Sequence, residues 1–273
     1  GHVDGAYVRN RQPLLEAVRA AGDRYLLADV LVIEYGIGFM KRGEWDQAEA
    51  AFLEADALLV ETGSSRRSLD RYYLAQLYFL RGDLEKATRE AETAREYCQR
   101  VGEKNTHAFI CMFLGMVAEM QGALPDALQD QLAFLSLVKE IGTPRHMAWG
   151  YAIVGRLQSL TGHNEAALVD LRNGIEILKE CCEEPGDLSY FFVQMAGVLI
   201  RSDPPLTARL LGFTQCLGTN QKDSIFYQPY FDRFLNEARR GLGEAAFNSA
   251  WDDGSKLTTK QAIDLAEKML DEL

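Results

Sequence analysis

Four histidines, five cysteines and 40 acidic residues hold whatever acid–base, metal or nucleophilic chemistry this chain could perform. His107, His146 and His163 are 39 and 17 residues apart, and each falls near a helix start or a turn. They form no H-E-x-x-H pair, the spacing that sets two imidazoles on one helix face around a metal. They read as surface or cap-adjacent side chains at different levels of the fold, and His2 as a residue left by cloning. Cys98, Cys111, Cys181, Cys182 and Cys216 are odd in number and have no C-x-x-C spacing. They read as reduced thiols, mostly small buried hydrophobes, in a cytoplasmic protein. The carboxylate pairs Glu183/Glu184 and Asp252/Asp253 fall in turns and helix ends, where charge is usually solvated. No G-x-S-x-G elbow and no G-x-x-x-x-G-K-[ST] phosphate loop occurs. The expectation is a non-enzyme, with no catalytic residue, metal ligand or cofactor.

Charge narrows the partners. The formal net charge is −11, and binding to duplex DNA or anionic lipid needs a basic face. Arg66, Arg67 and Arg71, like Arg239 and Arg240, read as solvated helix ends. No apolar run is long enough to span a bilayer. Neither nucleic acid nor membrane is therefore expected as a direct partner.

The elements that would position any site follow from a period. Ala48, Ala87, Ala127, Ala167 and Ala208 recur at steps of 39, 40, 40 and 41 residues. Gly43, Gly82, Gly122 and Gly162 keep the same register. A second series, Gly22, Gly63, Gly102 and Gly142, interleaves with them. Two interleaved series at one period mean a repeated two-element unit, which must stack on its neighbours to bury its apolar face. Both elements read as helix. Ala48, Phe52, Ala55, Leu58 and Leu59 form one stripe of 3.6-residue period, and Val32, Tyr35, Gly36 and Phe39 another. Thr143 before Pro144 and Asp203 before Pro204 read as caps followed by a first-turn proline. Pro125 and Pro229 also fit helix starts, and Pro185 reads as part of a loop.

These residues resemble a tetratricopeptide repeat. Gly36, Ala75, Gly115 and Gly155 match the small residue midway along that family's first helix, Phe39 and Tyr78 the aromatic one turn later. The turn glycines and the alanine series match its two strongest positions, with Phe52, Ala55 and Ala94 completing the second helix. Gln131 departs from the pattern at the aromatic position of repeat three, Gly174 at the last small position of repeat four, and Ser202 at the turn glycine of repeat five. The long period resembles the repeat arrays of large bacterial signalling ATPases and MalT-like, LuxR-type regulators. So does the C-terminal run: A-R-L-L-G at 208–212, L-G-E-A-A-F-x-x-A-W-x-x-G at 242–254, and A-x-x-L-A at 262–266. The resemblance implies an all-α, right-handed α-solenoid of about five helix pairs with C-terminal capping helices. The expected division is a partial repeat or cap at 3–26, repeats at 27–218 and capping helices at 219–273, with Phe247 and Trp251 covering the last repeat. Residues 14–21 read as the tail of a second helix whose own first helix is absent or degraded, so the sequence reads either as cut inside a repeat of a longer protein, the favoured reading, or as opening on an irregular cap at 3–13.

In such repeats the first helix of each pair lines a groove. Registering each repeat on its small residue directs Tyr72, Gln76, Phe79, Met112, Met116, Glu119, Trp149, Arg156 and Tyr190 toward it. Aromatic and Met side chains would supply contact area, and Arg156 and Glu119 orienting charge. The function expected is a protein-, peptide- or small-effector-binding sensor region of a larger regulator, in contact with that regulator's neighbouring domains. The alternative is a stand-alone peptide scaffold without switching.

Overall fold

The computed structural model describes residues 12–61, 67–181, 185–217 and 224–272. Gly63, Arg66, Cys182, Glu183, Glu184 and His2 lie outside the described residues. Every regular element among the described residues is helical. In chain order they are α1 (Gln12–Ala21), α2 (Arg24–Val30), a π-helical turn (Leu31–Gly36), α3 (Ile37–Lys41), α4 (Trp45–Glu61), α5 (Arg67–Leu80), α6 (Leu84–Val101) and α7 (Lys104–Met120). After them come α8 (Leu124–Ile141), α9 (Pro144–Leu160), α10 (Asn164–Cys181), α11 (Pro185–Leu199), α12 (Pro204–Cys216), α13 (Gln228–Leu242), α14 (Glu244–Gly254) and α15 (Thr259–Glu272). The protein is all-α. Its chain packs as two compact units, Gly1–Ile110 and Cys111–Leu273.

Glycine makes the tight turns possible. Gly22, Gly43, Gly82, Gly102, Gly122, Gly142 and Gly162 all have φ between +70° and +85°, where a Cβ is disfavoured. The N–H of Gly102 bonds the Cys98 carbonyl and that of Gly142 the Val138 carbonyl, closing α6 and α8. Asp83 and Asp203 open α6 and α12, each carboxylate accepting a backbone N–H. Thr143 precedes α9 in an extended conformation, yet its hydroxyl makes no capping bond. Pro185 is the first residue of α11 rather than part of a loop, a position where its missing N–H costs nothing.

In the first unit, α4 packs on the π-helical turn and on α5, and α5 packs on α6. Phe52, fully buried, lies against Gly36 so closely that a Cβ there would overlap its ring. Arg71 is no solvated helix end. It is partly buried and bonds Asp56 at 2.5 Å and Glu90 at 2.6 Å, tying α5 to α4 and α6.

In the second unit, Gln131 of α8 donates its Nε2 to the Met112 carbonyl of α7 at 2.9 Å. Gly115 leaves room for it, which explains a glutamine where an aromatic is expected. Helix α9 packs on α8, α10 and α11, and α11 on α12. Helix α14 then crosses α12 at two glycines. A Cβ on Gly212 would strike the Trp251 carbonyl, and one on Gly254 the Arg209 carbonyl. The glycines of the C-terminal sequence run are thus backbone contact points. Phe247 is buried with Ala208 and Ala238, flanked by Trp251 and Leu235. Helix α15 closes on α10 through Arg172, which bonds the Leu270 carbonyl at 2.7 Å, and Lys179, which pairs with Glu267 at 2.8 Å.

Ala48, Ala87 and Ala127 have no exposed surface, and Ala167 has 2%. Ala127→Leu should therefore cost on the order of 1–3 kcal/mol by overpacking. Urea denaturation monitored by helical circular dichroism should show the midpoint fall. An unchanged midpoint would mean that the site has spare room.

Candidate functional site

The strongest constellation of polar side chains lies in the second unit and joins four helices. Arg156 of α9 has no exposed surface. Its Nη1 and Nη2 donate to the two carboxylate oxygens of Glu119 on α7 at 2.7 and 2.6 Å, a bidentate pair. Its Nε donates to Gln194 Oε1 on α11 at 2.7 Å. From α13, the Tyr230 hydroxyl donates to Glu119 at 2.9 Å, and Arg233 reaches the same carboxylate at 3.4 Å. The guanidinium carbon lies 4.7 Å from the centroid of the Tyr230 ring and 5.9 Å from that of Phe234. Gly197 on α11 makes room: a Cβ there would sit 2.6 Å from Arg156 Cδ and overlap Phe234.

The electrostatics follow. Burial would push the Glu119 carboxyl up, but the Arg156 charge and hydrogen bonds, with Tyr230 added, hold it below the usual carboxylate range. Burial would weaken the Arg156 cation, and Glu119 more than offsets that. Burial raises the Tyr190 and Tyr230 phenols, so both are neutral at ordinary pH, and Tyr230 keeps the proton it donates to Glu119.

A second group borders this one. The Trp149 ring of α9 packs at a tilt of 38° against Tyr190 of α11 with centroids 4.8 Å apart, and His146 packs edge-on at 5.1 Å. The indole N–H donates to the Asp187 carbonyl at 3.3 Å, and Arg145 pairs with the Asp187 carboxylate at 2.9 Å. Burial, then the Arg145 charge, lowers the His146 pKa. Trp149 is held on three sides and remains partly exposed. Farther along α9, a cleft of about 270 Å³ opens beside Ser159, Asn164, Ile200 and Arg201, near the small end of the range for ligand pockets.

The nine residues expected to line a groove fare differently. In the first unit, Tyr72 (6%) and Gln76 (8%) are buried, and Phe79 is partly exposed. In the second unit, Met112, Met116, Glu119, Arg156 and Tyr190 are all buried, and Trp149 reaches solvent. Partial exposure is therefore found at two of the nine, and the other seven are buried. The physical reason at Glu119 and Arg156 is α13, which lies on them. They are interior polar anchors rather than groove-lining charges. Gln194, Tyr230, Arg233 and Phe234 were missed by the sequence reading. Gln194 is the one amide in the apolar run 188–199, and Tyr230, Arg233 and Phe234 share one helix face at i, i+3 and i+4. His107, His146 and His163 lie on α7, on α9 and in the turn before α10. Among the described residues, no group of three or more His, Cys, Asp or Glu is placed to hold a metal ion.

No family model and no curated protein matches the chain. Among solved structures, it is similar to BtubC (BKLC) from P. vanneervenii, with a TM-score of 0.64 and 18% identity, over 89% of this chain and 94% of that one. At that identity the likeness concerns the fold, an all-helical one. No helix among the described residues is long and apolar enough to cross a membrane.

Breaking a buried ion pair by removing one partner costs about 3–5 kcal/mol. Glu119→Gln should destabilise the protein by roughly that amount, and Glu119→Leu with Arg156→Met should recover most of it. Because the folded pKa of Glu119 is depressed, its contribution is present above its unfolded value, about 4.3, and is lost as pH falls through the folded value. The gap in urea midpoint between the parent and Glu119→Gln should thus be widest above pH 5 and shrink toward pH 3. A gap independent of pH would remove the pair from the stability of the fold.

Proposed function

We propose that this chain is a non-catalytic, tetratricopeptide-like binding region of a larger cytoplasmic bacterial signalling or transcriptional regulator. It would take a protein, peptide or small effector on the first-helix side of its pairs and pass the bound state to neighbouring domains. The observation that carries this reading is Trp149. It is a partly exposed indole braced by Tyr190, His146 and the Asp187 carbonyl, and rigid aromatic anchors of this kind dominate recognition surfaces. The net charge of −11 favours protein or metabolite partners over nucleic acid. The resemblance of the repeats and of the C-terminal run to MalT-like regulators supplies the signalling context. Binding would act on the parent only through different affinities for its conformations.

A scaffold without switching is the second reading. The tight polar interior around Arg156 favours it, since a rigid frame holds a partner with little rearrangement. A metabolite ligand would support sensing, and an extended or helical peptide would support scaffolding.

The test uses a peptide selected on the purified chain from a displayed random library. Trp149→Ala should weaken its binding by roughly 1–4 kcal/mol, while Glu165→Ala, on the second helix of the same pair, should leave the affinity unchanged in a fluorescence titration. Equal losses from both substitutions would reject the first-helix site.

A further inference from the structure

Helix α13 presents two faces: Phe231 packs edge-on against Trp251 of α14 at 6.4 Å, on the same side as the residues of its last two turns. Ala238, with Leu235 and Leu242, belongs to the cluster around Phe247 and Ala208 that joins α12 to α14. Tyr230, Arg233 and Phe234 instead lie on a face built by α7, α9 and α11. Just before the helix, the Phe226 ring meets Phe113 of α7 edge-on, 6.5 Å between centroids.

That face does not depend on α13 for its charge balance. The bidentate Glu119–Arg156 pair and the Arg156–Gln194 bond are made among α7, α9 and α11 alone. What α13 adds is one phenol hydrogen bond, one 3.4 Å ion contact from a half-exposed arginine, and two aromatic rings. Gly197 supplies a flat seat for the second ring. Nor does α13 saturate the face. Gln194 has no exposed surface, yet its Nε2 has no hydrogen-bond partner. A buried polar group without a partner is a standing cost, and a better-matched occupant would remove it.

We propose that the α7–α9–α11 face is a docking surface for an amphipathic helix of another protein, one that presents two aromatics at i and i+4 with an arginine at i+3, and that residues 228–234 of α13 occupy it in cis. This rests on the binding-region reading above and assigns it a second, self-covered site distinct from Trp149. Charge sets the partner chemistry. Glu119 is already paired, and its residual negative field accepts a phenol O–H and a guanidinium but would repel a carboxylate. Phe231 and residues 235–242 stay on α14 and its cluster with α12, so the covering side chains Tyr230, Arg233 and Phe234 remain tethered. Its effective concentration is then in the millimolar range, and a free helix competes poorly with the intact chain.

The probe is a fluorescein-labelled peptide with the sequence of residues 224–243. It should bind the full chain carrying Tyr230→Ala and Phe234→Ala about 10-fold or more tighter than it binds the parent, because the tethered competitor is gone. The same peptide with both aromatics replaced by Ala should bind neither chain. Arg233→Glu, a half-exposed position that folding tolerates more readily, serves as the second variant. It sets a carboxylate against Glu119 and should also tighten probe binding. A helical variant that gains no affinity for the probe, or equal binding of both peptides, overturns the proposal. Library-peptide binding that depends on Trp149, in a chain whose Tyr230→Ala/Phe234→Ala and Arg233→Glu variants gain no affinity for the probe, would leave the proposed function standing and remove only this second site.

Discussion

A guanidinium with no access to water organises the second unit. Arg156 can be buried only if its charge is matched and its N–H groups are used. The match comes from Glu119 and the remaining bond from Gln194, so three successive first helices must keep one relative register. The rings of Tyr230 and Phe234 then cover the guanidinium. Gly197 follows from the same constraint, since any larger residue would displace both the arginine stem and the Phe234 ring. The apolar contacts around this group are less particular. The ionic one admits a single arrangement.

The fold was legible because it is written in short-range signals. A 40-residue rhythm of alanines and glycines records where helices touch and where the chain reverses, and both needs are local. Ala48, Ala87 and Ala127 have no exposed surface, and the described turn glycines of both series have positive φ. The site was less legible because its assembly is long-range. Glu119 and Tyr230 are 111 residues apart, and α13 stands outside the repeat, where no period predicts its partner. Arg156 read as a groove charge because, in a periodic sequence, an interior anchor and a surface contact occupy the same register. Gln194 and the i, i+3, i+4 set on α13 were visible as residues, but nothing local joined them. The sequence also suggested a solvated Arg71, and its bonds to Asp56 and Glu90 again depend on helices contributed from elsewhere in the chain.

The first-helix side of the second unit has a partly exposed part, at Trp149, and a part that α13 covers, at Glu119 and Arg156. Trp149 is partly exposed and braced by His146, Tyr190 and the Asp187 carbonyl. Glu119 and Arg156 are rigid and covered. Both groups meet at Tyr190, which packs at a tilt against Trp149 and lies in the field of the Glu119 and Arg156 charges.

The central claim is that α13 is tied to the first-helix face through the Glu119 carboxylate. A double-mutant cycle between Glu119→Gln and Tyr230→Phe, read by urea denaturation, tests it most directly. The account predicts a coupling of about 0.5–3 kcal/mol, the range for residues sharing one hydrogen-bond network. Additive effects, with coupling indistinguishable from zero, would contradict it.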